Sequence, residues 1–156
     1  MPYKPRGLTF DQFNVGDVYV CQGRTVTEAD VVNFAGISGD YNPLHTNEEY
    51  GKTTPFGGRI AHGYITSAFM AATLGMLFHG TAVAYLEHGC RFTAPVRAGD
   101  TLTVVWTLTA RESKPRHGGG VVVFKGTAHI QDGTQVAEAD AKMLIQDRAP
   151  AAATDA

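Results

Sequence analysis

The chain is poor in several features that mark particular classes of protein. Its 156 residues include two cysteines, Cys21 and Cys90, which are too far apart to form a metal-binding motif. The 13 basic residues do not outnumber the 15 acidic ones, so the strongly basic surface of a nucleic-acid-binding protein is missing. The first residues, "MPYKPRGLTF", do not resemble a secretory signal. We therefore expect a cytoplasmic protein that binds no nucleic acid.

Charged side chains are also missing from residues 61–86, a stretch whose length alone would fit a membrane-spanning helix. Two histidines, His62 and His79, interrupt this stretch, and its sustained helical part, "YITSAFMAATLGMLF", is too short to cross a bilayer comfortably. We therefore predict no membrane association. A helix that is apolar all round in such a chain is one that the rest of the protein buries.

The residues after this helix predict long strands that alternate between a buried and an exposed face. In "TLTVVWTLTARE" the inward side chains are Leu102, Val104, Trp106, Leu108 and Ala110. The segments "VVVFKGTAHIQ" and "QVAEADAKMLIQ" follow, separated by a turn at Asp132-Gly133, and "TAVAYLEHGCRF" precedes them as a further strand. Three consecutive strands of this kind indicate an antiparallel meander.

The N-terminal third adds a strand, "DVYVCQGRTV", and a short helix, "EADVVNFAGISG", opened by a capping box between Thr27 and Asp30. The order of elements predicts an α+β fold in which one antiparallel sheet wraps around a long central helix. We expect a single domain over residues 1–147 and a disordered tail at 148–156, where the sequence is low in complexity.

The segment "SGDYNPLHTNEEYG", residues 38–51, raises the question of function. A surface turn needs Gly, Asn and Pro, but it has no need for an acid and a histidine five residues apart, Asp40 and His45. These two side chains can act as base and acid, and Pro43 stiffens the loop between them. Asn42 either orients one of the pair or ties the loop to the neighbouring backbone.

Three segments resemble the MaoC-like (R)-specific enoyl-CoA hydratases. The segment "FAGISGDYNPLH", residues 34–45, is similar to the family signature. The segment "FGGRIAHGY", residues 56–64, is similar to the loop before the family's central helix, and "FTAPVRAGDTL", residues 92–102, is similar to its strand-turn-strand. Gly51 departs from the pattern, since the family usually has Ala or Ser there, and we interpret it as a packing position. The resemblance implies a hot-dog fold, in agreement with the fold predicted from the elements.

The resemblance also implies the reaction, which is reversible hydration of a trans-2-enoyl thioester to the (R)-3-hydroxyacyl thioester. Asp40 and His45 are then the catalytic pair and Asn42 supports them. The backbone at His62 and Gly63 would stabilise the oxyanion, because unpaired amides at a helix start point outward and favour negative charge. The thioester, of coenzyme A or of an acyl carrier protein, is a substrate, and we expect no cofactor.

Other expectations concern binding and assembly. The candidates for substrate binding are Gly58, Arg59, Tyr64 and Arg116. We predict no metal, because the remaining histidines have no ligand spacing, and we expect a homodimer or a higher even oligomer. Two other functions stay open: a non-catalytic hot-dog subunit that binds acyl thioesters or supports an active partner, and a hot-dog thioesterase.

Overall fold

An antiparallel sheet curls around one face of a long helix in the computed structural model of this chain, which describes residues 5–147. The predicted tail at 148–156 lies outside the described residues. The helical elements are η1 (Phe10–Gln12), α1 (Glu28–Ser38), α2 (Pro43–Thr46), α3 (Glu48–Lys52), α4 (Gly63–Leu77) and η2 (Pro115–His117). The strands are β1 (Val18–Val20), β2 (Arg24–Thr25), β3 (Ala82–Phe92), β4 (Thr101–Lys114), β5 (Gly119–His129) and β6 (Gln135–Gln146).

The strand order within the described residues is β1-β4-β5-β6-β3, with β2 also paired to β4. The predicted meander is therefore confirmed as β4, β5 and β6, and β3 adds to its far edge through β6. Because β3 and β4 are not neighbours, residues 93–100 cross the end of the sheet. The amide of Ala61 donates to the Val96 carbonyl at 2.7 Å, which fixes this crossing beside the start of α4.

The core lies between the inner face of the sheet and α4. The predicted alternation on β4 is confirmed through Leu108, and Trp106, which is fully buried, donates from Nε1 to Thr73 Oγ1 of α4 at 2.8 Å. A register irregularity between Leu108 and Ala110 then ends the alternation. Ala110, which we predicted to face inward, is exposed. A bulge of this kind leaves no trace in the pattern of apolar residues.

The sequence predicted that the long helix α4 is buried all round. In the structure only one of its faces is buried. Ile65, Met70 and Leu74 are buried against the sheet, whereas Tyr64 and Met76 on the outer face are 71% and 67% exposed. The apolar outer face is what made the helix look fully buried. No helix among the described residues is long and apolar enough to span a membrane.

The N-terminal elements follow the sequence signals in part. The capping box of α1 is confirmed, since Asp30 N donates to Thr27 Oγ1 at 3.1 Å and Thr27 N donates to Asp30 Oδ2 at 2.8 Å. The single strand predicted over "DVYVCQGRTV" is wrong. Two short strands, β1 and β2, form there, and both pair with β4.

A polar cluster joins β3 to α4. Ser67 Oγ lies 2.8 Å from His88 Nε2, and the Tyr85 hydroxyl lies 3.0 Å from His88 Nδ1. Burial lowers the pKa of His88 below its ordinary value, so this ring is neutral at pH 7. Burial also raises the pKa of Tyr85 to about 12. The cluster fixes the inner face of the edge strand to the helix by neutral hydrogen bonds.

Gly126 on β5 provides a test of how tightly this core is packed. A Cβ added there would lie 2.3 Å from a carbon of the Trp106 ring, so we expect Gly126→Ala to lower the free energy of unfolding by about 1–3 kcal/mol. Denaturant unfolding measures the change. Gly89→Ala on β3 is the matched control, because an added Cβ there meets no atom of the described residues within 4 Å. Equal stability of the two variants would mean that Trp106 moves aside freely.

Candidate active site

The loop between α1 and α2 holds Asp40 in place through its own backbone. Gly39 ends α1 with φ of 76°, a left-handed conformation that suits glycine, and the chain turns there. Asp40 Oδ1 then accepts from Asn42 N at 3.1 Å, and Asn42 Oδ1 accepts from Leu44 N at 3.0 Å, which caps α2. Of the two roles that the sequence left open for Asn42, these bonds correspond to tying the loop to the backbone.

His45 on α2 points one ring nitrogen at Asp40. Its Nδ1 lies 2.8 Å from the Ile60 carbonyl, which can only accept, so Nδ1 carries the hydrogen and Nε2 of the neutral ring has a free lone pair. Nε2 lies 4.0 Å from Asp40 Oδ2. One water can hydrogen-bond to both atoms across that gap at about 2.8 Å each. The His45 side chain is 12% exposed and that of Asp40 is 52% exposed, so the carboxylate lies on the solvent side.

His62 is a further member of this group, and its ring is 2% exposed. Its Nε2 donates to the Asp40 carbonyl at 2.9 Å, and its ring stacks on that of His45 with centroids 3.9 Å apart. The sequence predicted a backbone role for His62 and a hydrogen-bonded position in the core for its ring, but it did not identify Asp40 and His45 as the partners of the ring. Only the fold brings the start of α4 beside a loop more than twenty residues earlier, so no local signal could have indicated them.

The start of α4 contributes backbone amides to the same place. His62 is the N-cap residue, but its side chain makes no capping bond to the first turn and instead binds Asp40. The first amides of α4, beginning with Gly63, are thus oriented along the helix axis at its positive end. A cleft of about 330 Å³ lies here. Its walls include His45, Gly63 and the apolar side chains of Phe56, Ile60, Phe92 and Val96.

Two larger depressions lie elsewhere on the molecule. One of about 650 Å³ lies along β3, β4, β5 and β6 and is lined by residues such as Arg91, Lys125 and Asp140. The other, of about 780 Å³, lies between β1 and the outer face of α4. Neither is lined by Asp40, His45 or Gly63. The small cleft is the better candidate because acid, base and helix-start amides meet at its edge.

The segment before α4 is held by Arg59, one of the predicted substrate-binding residues. Its guanidinium binds Glu28 Oε1 at 2.5 Å and Glu48 Oε2 at 3.1 Å. These carboxylates raise the pKa of Arg59, and Arg59 in turn lowers the pKa of Glu48. Gly58 precedes it and lines a shallow depression beside Arg97. Because Arg59 already pairs with two carboxylates, its role toward substrate stays a prediction.

The other two predicted substrate-binding residues lie at different distances from the cleft. Tyr64 follows Gly63 on α4, is 71% exposed and contacts the ring of Phe92 edge-on at 6.1 Å. Arg116 lies in η2, at the opposite end of β5. At about 3.3 Å per residue, the length of that strand separates Arg116 from the cleft by roughly 30 Å within one chain. A contact of Arg116 with the same substrate stays a prediction.

Asp40, His45 and His62 are also close enough to be considered as metal ligands, with one ligand atom of each within 4.8 Å of the others. Two donors on one zinc ion at about 2.05 Å are roughly 3.4 Å apart in tetrahedral geometry. The 4.0 Å between His45 Nε2 and Asp40 Oδ2 is longer. The spacing suits a bridging water better than a shared ion, and the expectation of no metal stays a prediction.

Comparison with known proteins places the chain among established relatives. Residues 12–129 match the family model described as MaoC like domain. The chain belongs to the MaoC-like dehydratase family. It is 38% identical over 125 residues to an (R)-specific enoyl-CoA hydratase of Rhodospirillum rubrum, covering 80% of this chain and 83% of the relative.

Two further comparisons agree with this assignment. The chain is 40% identical over 99 residues to a 3-hydroxybutyryl-CoA dehydratase of Methylorubrum extorquens, with 64% and 62% of the two chains covered. The structure of R-hydratase PhaJ1 from Pseudomonas aeruginosa in the unliganded form superposes with a TM-score of 0.77 at 30% identity, covering 91% of this chain and 88% of the other. The predicted hot-dog fold is confirmed.

Gly51, where this MaoC-like chain departs from the family pattern, can now be tested. A Cβ added there would lie 2.6 Å from Arg59 N and from Gly58 C. We therefore expect Gly51→Ala, although it restores the usual family residue, to lower the free energy of unfolding by about 1–3 kcal/mol. Gly36→Ala on α1 is the control, since its nearest contact would be the Tyr41 hydroxyl at 3.8 Å. If Gly51→Ala is as stable as the parent, the backbone at residues 58–59 moves away from the added Cβ without lowering the free energy of unfolding.

Proposed function

We propose that this chain catalyses the reversible addition of water to a trans-2-enoyl thioester of coenzyme A, giving the (R)-3-hydroxyacyl thioester. The observation that carries the proposal is that His45 and the start of α4 line one cleft, and that Asp40 Oδ2 lies 4.0 Å from His45 Nε2 at its edge. Two relatives named an (R)-specific enoyl-CoA hydratase and a 3-hydroxybutyryl-CoA dehydratase support it. A carrier-protein thioester would present the same reacting group.

The reaction needs a base that takes a proton from water and an acid that gives one to C2. A water held between Asp40 Oδ2 and His45 Nε2 can donate one hydrogen to each atom, since a carboxylate oxygen accepts and His45 carries its hydrogen on Nδ1. As the water oxygen bonds to C3, one of the pair takes the proton and the pair returns a proton to C2. The sum is H and OH added across the double bond, and the enzyme is unchanged.

Negative charge develops on the thioester oxygen when water attacks C3. The first amides of α4, at Gly63, can donate to that oxygen at the positive end of the helix dipole. Gly63 has no side chain, so the thioester oxygen can approach the helix start closely; a Cβ there would lie 2.8 Å from the Phe92 ring. The apolar walls of the cleft, among them Phe56 and Ile60, suit an acyl chain.

The catalytic pair provides the direct test. Asp40→Asn and His45→Gln preserve size and hydrogen bonding but remove proton transfer, so each is expected to lower kcat by about 10²–10⁴-fold with little loss of folding. The assay follows loss of the conjugated enoyl absorbance over a panel of enoyl thioesters, and the chirality of the product is determined. Asp140→Asn and His129→Gln, which make the same changes at residues that do not line the cleft, are the matched controls.

The same assay separates the other functions. Release of free thiol without loss of the conjugated enoyl group would indicate a thioesterase, and tight binding of the thioester without any turnover would indicate a non-catalytic subunit. Near-normal hydration by either Asp40→Asn or His45→Gln would remove that residue from the mechanism.

The proposal includes a homodimer that forms along β3. Within the described residues, β3 pairs with β6 on one side only, and its 11 residues form a long edge. Its exposed apolar side chains are Val83, Tyr85, Leu86 and Phe92. The opposite edge strand, β1, has three residues, and short edges do not readily pair. Phe92 at the end of β3 lies against Gly63, so the edge borders the site.

A charge on that edge tests the dimer. Leu86→Asp is expected to give a monomer in sedimentation velocity and to lose most hydratase activity with it, because an unpaired carboxylate opposes burial at the interface. Val20→Asp on β1 is the control, since Val20 is 71% exposed on the other edge and Leu86 is 47% exposed. A parent protein that is fully active as a monomer would contradict the shared-edge arrangement.

A further inference from the structure

The side chain of His62 has contacts that an oxyanion role of its backbone does not explain. The ring is 2% exposed, although it belongs to the N-cap residue of α4, a position where side chains commonly face solvent or cap the helix. It instead donates from Nε2 to the Asp40 carbonyl at 2.9 Å. One ring face lies against His45, with centroids 3.9 Å apart, and Phe34 contacts the ring at 5.0 Å.

The second ring nitrogen of His62, Nδ1, shows that packing alone does not explain a histidine at this position. The Asp40 carbonyl can only accept, so Nε2 carries the hydrogen and Nδ1 has a bare lone pair. Nδ1 is buried and has no hydrogen-bond partner among the described residues. A buried polar atom without a partner lowers stability, and a phenyl ring would fill the same space without that cost. The imidazole is therefore explained by what it does for its neighbours.

Two neighbours of the ring, Asp40 and His45, form the catalytic pair. The Asp40 side chain is 52% exposed, and its Oδ1 accepts from Asn42 N, which ties the carboxylate to the backbone of its own loop. The bond from His62 fixes the carbonyl of that backbone. His45 is held at one edge by its bond to Ile60, and the His62 ring limits its tilt from the face.

We propose that His62 is a positioning residue, whose imidazole sets the distance between Asp40 and His45 through the hydrogen bond to Asp40 and the stack on His45. The proposal rests on the proposed hydratase function for its kinetic consequences. Its structural content, that the ring controls the geometry of the pair, is independent of the reaction. The hydrogen bond contributes more than the stack, because His45 has a second anchor at Ile60.

Two substitutions separate the hydrogen bond from the stack. His62→Phe keeps a flat ring against His45 but removes the donor to Asp40. His62→Gln removes the ring, and its amide nitrogen can take the place of Nε2 and donate to the same carbonyl. Each variant is compared with the parent for kcat, KM and the midpoint of denaturant unfolding, with a short-chain enoyl-CoA as the substrate.

We expect His62→Phe to lower kcat by about 10- to 100-fold, because a misplacement of about 1 Å in a reacting group has an effect of that size. KM should stay within about twofold, since no group that binds substrate is removed. His62→Gln should recover kcat to within about threefold of the parent. The unfolding midpoint of His62→Phe should stay close to that of the parent, because the lost bond to Asp40 is offset by removal of the unpaired Nδ1, whereas a merely structural role would lower the midpoint together with kcat.

Crystal structures of the two variants provide a readout that does not depend on activity. In His62→Phe the separation of Asp40 Oδ2 from His45 Nε2 should depart from 4.0 Å by about 1 Å or spread over two conformers, and in His62→Gln it should be kept. An unchanged pair in His62→Phe overturns the proposal, as does equal loss of kcat in both variants or loss in proportion to stability. If the parent hydrates no enoyl thioester, the proposed function fails and the crystal structures still decide the role of His62.

Discussion

Two hydrogen bonds from imidazole rings to main-chain carbonyls hold the candidate site together. His45 binds the Ile60 carbonyl and His62 binds the Asp40 carbonyl, at 2.8 and 2.9 Å. The two bonds join the same two segments in opposite directions. His45 of α2 donates to a residue just before α4, and His62 at the start of α4 donates to the loop just before α2. Because a carbonyl only accepts, each bond also sets the tautomer of its ring. The position and the tautomer of each ring thus follow from the same bond.

The rest of the fold keeps those two carbonyls in place. The segment that crosses the end of the sheet accepts from Ala61 N at Val96, and the guanidinium of Arg97 donates to the Arg59 carbonyl at 3.0 Å. Arg59 in turn binds carboxylates of α1 and α3. The residues before α4 are therefore bonded from the sheet on one side and from two helices on the other. A site held in this way loses little entropy when it binds substrate.

How much of this the sequence could predict depends on the range of the interaction. The capping box of α1, the alternation along β4 to β6 and the signature at residues 34–45 are set by neighbours in sequence, and the structure shows those elements. The pairing of β3 with β6, the irregularity after Leu108 and the partners of Arg59 depend on residues far apart in the chain. The ring of His62 belongs to the same class. Its sequence neighbours pointed to the backbone of a helix start, and only the fold puts the ring beside Asp40.

Gly51 joins the packing of the fold to the chemistry of the site. The backbone at Gly58 and Arg59 lies closer to α3 than a Cβ allows, and the next residue is Ile60. Its carbonyl holds His45, and it also lines the cleft. A side chain at residue 51 would push this segment outward, and the same displacement would move the anchor of His45 and one wall of the cleft. Gly51, where the chain departs from the family pattern, therefore helps to determine the position of His45.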